Sequence, residues 1–186
     1  MKPLEIIIDE NIILRAHHQE MAPLLFELVE KNRTYFRKWL PWLDLNTKIE
    51  DTYSFITECE NNSKKGNSLN LGIYYQDIFV GGLGFNVIKQ SNNSAEIGYM
   101  LGKEWNGKGI ITKSCKALIH YGFNNLNLNK VTIKAATKNL KSRAIPEKLG
   151  FKQEGILLDD ELLYGIYLDT VIYGMLKRDW KAMPEM

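Results

Sequence analysis

The spacing of apolar residues along the chain changes period partway, and the change divides it into a helical first third and a β-rich remainder. After a short strand at 12–15, Met21, Leu24, Leu25, Leu28 and Val29 recur at the spacing of one helix face. Residues 34–40 continue as a second short helix, which Pro41 must stop. Thr47-x-x-Glu50 has the form of a capping box, and Ile49, Tyr53 and Ile56 mark a further helix to about Lys65, before Gly66. Segments 69–75 and 78–88 are rich in β-branched and aromatic residues around Gln76-Asp77, which predicts an antiparallel hairpin. A polar loop at 90–93 leads to a strand at 94–101. A glycine-bearing loop at 102–109 opens a helix carrying Ile111, Cys115, Leu118, Ile119 and Phe123 to about Leu126. A strand at 131–136, a short helix at 142–149 closed by Gly150, and strands at 151–157 and 170–176 complete the reading. The order predicts a mixed α/β fold of mostly antiparallel hairpins around a central β-loop-α-β unit. No repeat or linker interrupts it, so residues 1–186 read as one domain.

The 186 residues are 45% hydrophobic and 25% charged, enough to bury a core without staples. Cys59 and Cys115 match no metal or redox spacing and read as reduced thiols. The longest apolar run, 78–85, is too short to span a membrane, and Glu5 and Asp9 interrupt any secretory segment, so a cytoplasmic location is expected. Net charge is only +2, yet residues 103–152 carry eleven basic and two acidic side chains, a net +9 that leaves −7 elsewhere. Such a split fits a polyanionic ligand on one part of the fold; solvated helix faces explain it equally well.

Residues 96–110 carry the sharpest chemical signal. A strand enters a loop with Gly107 and Gly109, and the loop opens a helix. Free N–H groups and the positive dipole end of such a helix bind phosphate, and glycines let the backbone approach it. Gly102-x-x-x-x-Gly107-Lys108 copies most of a P-loop, but Gly109 stands where Mg²⁺ binding needs Ser or Thr. Gly107-x-Gly109-x-x-Thr112 lacks the third glycine of a dinucleotide fingerprint and follows the wrong strand. A plain helix-capping turn is the structural alternative.

Asn139-Leu-Lys-Ser142-Arg-Ala-Ile-Pro-Glu-Lys-Leu-Gly-Phe151, with the Gly107-Lys108-Gly109 loop before it, resembles the GNAT superfamily of acyl-CoA N-acyltransferases over nearly the whole chain. Within it, Lys38-Trp-Leu-Pro-Trp42, Ala95-Glu-Ile-Gly-Tyr99 and the hairpin at 164–173 are similar to the RimL/RimJ group, which acetylates N-terminal amines of ribosomal proteins. The resemblance implies a mixed, strongly bent sheet, splayed in its middle and flanked by helices, with acetyl-CoA in the cleft. Pantetheine would pair with Met100, Leu101 and Gly102, and the pyrophosphate would sit on the amides of Asn106, Gly107, Lys108, Gly109, Ile110, Ile111 and Thr112. Glu104 replaces a Gln or Arg usual in the family and is given no role.

Acetyl transfer needs a neutral amine, a route for its proton, an oxyanion partner and protonation of the leaving thiolate. An α-amine near pKa 7.7 to 8.0 needs little help, whereas a lysine near 10.4 costs about 3 kcal/mol more to deprotonate. The resemblance implies Glu161 as base, in Asp159-Asp160-Glu161, where the two acidic neighbours would raise its pKa. Glu96, where other branches carry their base, is the second candidate. Pro146 occupies the position of the family's acidic tyrosine. Ser142 matches a serine placed near the CoA sulfur, and it fits the first turn of a helix equally well. Asn139 would bond pantetheine or cap that helix. Lys138, Lys141 and Arg143 would meet the CoA 3′-phosphate or simply be solvated. Tyr35, Trp39 and Trp42, with Phe36, would border the acceptor groove or pack in the core, with Asp44, Asp51, Glu58 and Glu60 beside it.

His17, His18 and His120 have no ligand spacing, so no metal is assigned. The expected function is acetyl-CoA-dependent acetylation of a protein N-terminus. A small amine such as a polyamine or aminoglycoside, or a non-catalytic acetyl-CoA-binding module, are the alternatives. No membrane or direct nucleic-acid contact is expected, and a homodimer is left open.

Overall fold

The computed structural model describes residues 4–181. Among them, eight strands form one mixed sheet: β1 (Glu5–Ile7), β2 (Ile12–Ala16), β3 (Leu69–Tyr75), β4 (Ile78–Lys89), β5 (Ser94–Leu101), β6 (Lys130–Ala136), β7 (Lys152–Leu163) and β8 (Ile166–Leu176), in the spatial order β1-β2-β3-β4-β5-β6-β8-β7. Helices α1 (Ala22–Phe36) and α2 (Ile49–Lys64) precede β3, α3 (Ile110–Asn124) links β5 to β6, and α4 (Leu140–Lys148) links β6 to β7.

Alternation along the strands sorts apolar side chains onto the two faces of the sheet. On β3 and β4, Ile73 and Val80 join the cluster around α3, which includes Phe85, Leu118, Ile119, Phe123 and Val131. Their neighbours Tyr74 and Phe79 join the opposite cluster with Leu25, Leu28 and Val29 of α1 and Ile56 of α2. Removing a buried leucine such as Leu118 from such a core costs about 2–5 kcal/mol. Gly122 lets α3 approach the sheet, since a Cβ there would lie 2.6 Å from the Phe85 ring.

The β3-β4 hairpin turns at Gln76 and Asp77, both at positive φ (50° and 61°), as a two-residue hairpin requires. Three local expectations change. Pro41 does not end a second helix: α1 stops at Phe36, and Pro41 starts a short 3₁₀ helix, Pro41–Leu45, where its missing N–H is no loss. The cap of α2 shifts by one residue, with Asp51 rather than Glu50 accepting the N–H groups of Thr47 (2.9 Å) and Lys48 (3.1 Å). Strands β7 and β8 run well past the expected segments, up to a turn at Tyr164 and Gly165.

The feature that makes a site is the β5 and β6 pair. These strands are parallel and bonded only from Ser94 opposite Lys130 to Ile97 opposite Ile133. Beyond that point they diverge, while β5 stays paired with β4, and β6 with β8. The expected splay in the middle of the sheet is therefore present.

Candidate active site

The divergence opens a cavity of about 2070 Å³. Its walls include Gly98, Tyr99, Met100 and Leu101 of β5 and Lys134, Ala135 and Ala136 of β6. From Gly98 onward the outer edge of β5 has no strand partner, so its amides are free for an extended ligand.

The glycine loop forms one end of the cavity, through Asn106, Gly107, Gly109, Ile110, Ile111 and Thr112. Gly107 and Gly109 are left-handed (φ 81° and 75°), and a Cβ on either would meet nothing within 4 Å. Open space therefore lies over a backbone that only glycine adopts easily. No side chain caps α3, whereas Asn139 Oδ1 caps α4 by accepting the Ser142 N–H at 3.2 Å. The first-turn amides of α3 are left for a ligand, and an anion suits them. Glu104 turns away to an ion pair with Lys31 at 2.6 Å, which lowers its pKa and keeps its charge off the loop.

Three residues expected at the cofactor, Gly102, Lys108 and Arg143, stand outside the cavity wall. Gly102 donates its N–H to the Val80 carbonyl at 2.9 Å. The Lys108 ammonium lies over the Trp105 ring, 4.6 Å from its centroid, so only its backbone belongs to the loop. Tyr35, expected in the acceptor groove, lines the cavity and also touches this loop, because Asn106 Nδ2 donates to its hydroxyl at 3.2 Å.

Helix α4 brings Ser142 to the cavity opposite β5, with Asn139, Lys138 and Lys141 also in the wall. The Tyr99 hydroxyl donates to the Ser142 carbonyl at 2.8 Å, and Ser142 Oγ donates to Tyr99 Oη at 3.1 Å. Burial, chiefly, raises the Tyr99 pKa. Arg143, one residue further round the helix, points away from the cavity. Its guanidinium donates to Tyr173 Oη (2.9 Å) and the Thr137 carbonyl (3.0 Å), so it is held within the protein and not in the cavity wall.

The far wall holds the carboxylates. A bulge in β7 sets three residues, Leu158, Asp159 and Asp160, against one on β8, and Asp159 takes positive φ (50°). As a result the adjacent Asp160 and Glu161 both line the cavity, which a regular strand would forbid. Asp160 accepts from Thr170 Oγ1 at 2.6 Å and pairs with Lys134 at 3.4 Å. The Glu161 pKa is raised, first by burial and then by Asp160, with Lys134 opposing. Asp159, expected to contribute, instead donates its N–H to Asp169. Glu96 also lines the cavity, from β5.

Trp39 and Trp42 line the remaining wall with Phe36, Leu40 and Pro41. Of the four acids expected there, Asp51 and Glu58 line the cavity, while Asp44 takes a two-pronged bond from Arg37 (3.0 and 2.9 Å). His17 lies here too; neither ring nitrogen has a protein partner, and burial pulls its pKa down to about 4. Tyr99, Lys134 and His17 had no chemical role in the sequence reading. Only the tertiary fold brings them to the cavity.

No group of three or more His, Cys, Asp or Glu poised for a metal occurs among the described residues, and no helix there is long and apolar enough to cross a membrane.

Residues 11–152 match the family model described as an acetyltransferase (GNAT) domain. The chain is 38% identical to the Bacillus subtilis protein YdaF, which carries a provisional ribosomal N-acetyltransferase name, over 94% of this chain and 96% of that one. It is 30% identical to the ribosomal-protein-serine acetyltransferase of Escherichia coli, over 90% and 93%. The solved structure of RimL, a ribosomal L7/L12 alpha-N-protein acetyltransferase, in complex with coenzyme A superposes with a TM-score of 0.91 at 28% identity, covering 93% of this chain and 98% of that one. Cleft, uncapped helix and glycine loop thus have their explanation: the chain belongs to the GNAT family of acetyl-CoA-dependent N-acetyltransferases.

Proposed function

We propose that the enzyme transfers the acetyl group of acetyl-CoA to the N-terminal α-amine of a protein, a ribosomal protein being the first candidate. The observation that carries this reading is Glu161, half-buried in the cavity with a raised pKa, at the place where the RimL/RimJ resemblance expects a base. An α-amine needs only such a modest base at neutral pH. The names of the relatives, a ribosomal-protein-serine acetyltransferase and an L7/L12 alpha-N-protein acetyltransferase, support the same acceptor class.

In this reading the pyrophosphate rests on the amides of the glycine loop and the first turn of α3. Pantetheine extends along the free edge of β5 at Met100 and Leu101. Glu161 receives the proton of the attacking amine, directly or through water. Nitrogen bonds to the thioester carbonyl carbon, the C–S bond breaks, and the departing thiolate takes a hydrogen bond from Ser142. Asn139 serves as the cap of α4 that holds Ser142 in the wall. Trp39 and Trp42 flank the acceptor.

Thiol release from acetyl-CoA, measured against N-terminal peptides, polyamines and aminoglycosides, tests the proposal. Turnover restricted to peptides with a free α-amine is the expected outcome. Turnover on polyamines or aminoglycosides alone would replace the acceptor class, and binding of acetyl-CoA without turnover on any acceptor would make the protein a binding module. Full activity in Glu161→Gln would move the base to Glu96.

A further inference from the structure

Proline at position 146 removes the tyrosine that many family members use as an acid, and it also changes the backbone of α4. In a regular helix the Ser142 carbonyl accepts the N–H of residue 146. Proline has no N–H, so that carbonyl is orphaned inside the cleft wall. The Tyr99 hydroxyl fills the vacancy, donating to the Ser142 carbonyl at 2.8 Å from β5 across the gap. Once its only proton is committed there, Tyr99 Oη can act towards Ser142 only as an acceptor, and Ser142 Oγ donates to it at 3.1 Å. One hydroxyl thereby fixes both the backbone and the side chain of the same residue.

We propose that Tyr99 is a positioning residue for the leaving-group step: it holds the Ser142 hydroxyl in the one rotamer from which its hydrogen can swing to the CoA sulfur. This inference rests on the role given to Ser142 above. In the resting site the Ser142 hydrogen points to Tyr99. As the C–S bond breaks, the thiolate becomes the better acceptor and the hydrogen turns to it, with no proton leaving either hydroxyl. The bond to sulfur is then made only as charge develops, the kind of interaction that raises kcat rather than lowering KM. Tyr99 does not act as the acid itself. Half-buried, with its pKa raised chiefly by desolvation, it keeps its proton throughout.

A double-mutant cycle tests the inference, read as thiol release at saturating acceptor with the best peptide of the panel, or as acetyl-CoA hydrolysis by water if no peptide turns over. Tyr99→Phe is expected to lower kcat about tenfold and leave KM for acetyl-CoA within about twofold. Combined with Ser142→Ala it should add nothing beyond Ser142→Ala alone. Pro146→Ala restores an N–H for the Ser142 carbonyl. In the Tyr99→Phe background it should regain lost Tm while kcat stays low, which separates hydroxyl orientation from helix repair. Unchanged kcat in Tyr99→Phe, fully multiplicative effects in the double variant, or recovery of kcat with Pro146→Ala would overturn the Tyr99 inference alone. Unchanged kcat in Ser142→Ala would overturn it together with the role assigned to Ser142.

Discussion

A carboxyl group removed from water is a stronger base than one in solvent, because desolvation penalises its charged form. Glu161 stands in that condition, with Asp160 adding to the shift and Lys134 opposing it. As the pH falls through this raised pKa, Glu161 takes up a proton and the rate falls; Glu161→Gln should lower kcat by about 10²-fold and abolish that limb of the pH profile. The sign for stability is opposite. A raised folded pKa means that the contribution of Glu161 is complete below the ordinary carboxyl range and is lost as pH rises through the folded value. Glu161→Gln should therefore melt higher than the parent at neutral pH, a rise that calorimetry would detect. His17 gives the reverse case. Its folded pKa of about 4 lies below the ordinary 6.5, so its stabilising share is present above 6.5 and fades towards 4. At 1.36 kcal/mol per unit that gap amounts to about 3 kcal/mol. His17→Phe should flatten the dependence of Tm on pH across this window. Cys59 is also buried, its thiol pushed up to about 12, and should resist thiol reagents until the protein unfolds.

At the scale of elements, the glycine loop and α3 form a unit whose contribution is tested at Gly109. Alanine there must hold a φ of 75°, a cost of about 1 kcal/mol, and its methyl would stand in the space kept open over the loop. Gly109→Ala should raise KM for acetyl-CoA about tenfold with a smaller change in kcat, as steady-state kinetics with acetyl-CoA varied would show. This unit was legible in the sequence because each of its features is local: a β5 strand whose observed bounds, Ser94–Leu101, match the apolar pattern, then two glycines, then a helical period. Strand β7 was legible only in part. Asp159-Asp160-Glu161 looks like a polar turn, and the bulge that turns Asp160 and Glu161 to the same cavity breaks the period of two that reveals a strand. Pro41 misleads for a different reason, since proline forbids a helix interior but favours a helix start, and the sequence alone does not say which. The pairing of Tyr99 with Ser142 spans 43 residues and two elements. Its one trace in the chain is a proline four positions after a serine.

Over the whole molecule, near-neutrality conceals a partition that the cavity makes concrete. Basic side chains of the wall come mainly from the segment around α4, as Lys138, Lys141 and Lys148, while Glu58, Glu96, Asp160 and Glu161 come from α2, β5 and β7. Lys134, which pairs with Asp160, and Lys38 are basic exceptions on the acidic side, and Glu147 is an acidic exception on α4. A polyanionic cofactor facing exposed lysines is attracted through solvent, where charges separated by more than about 8–10 Å are screened at physiological salt. Phosphate bound by the buried first-turn amides of α3 is screened far less. The two contributions can therefore be separated by ionic strength. Raising salt from about 0.05 to about 0.5 M should raise the Kd of CoA several-fold, as read by calorimetric titration. Lys138→Ala together with Lys141→Ala should weaken binding at low salt and flatten that dependence, whereas Gly109→Ala should weaken binding by a similar factor at every salt concentration. A salt response that the two lysine substitutions leave unaltered would mean that the basic segment from Lys103 to Lys152 serves solubility, and that the cofactor is held by backbone amides alone.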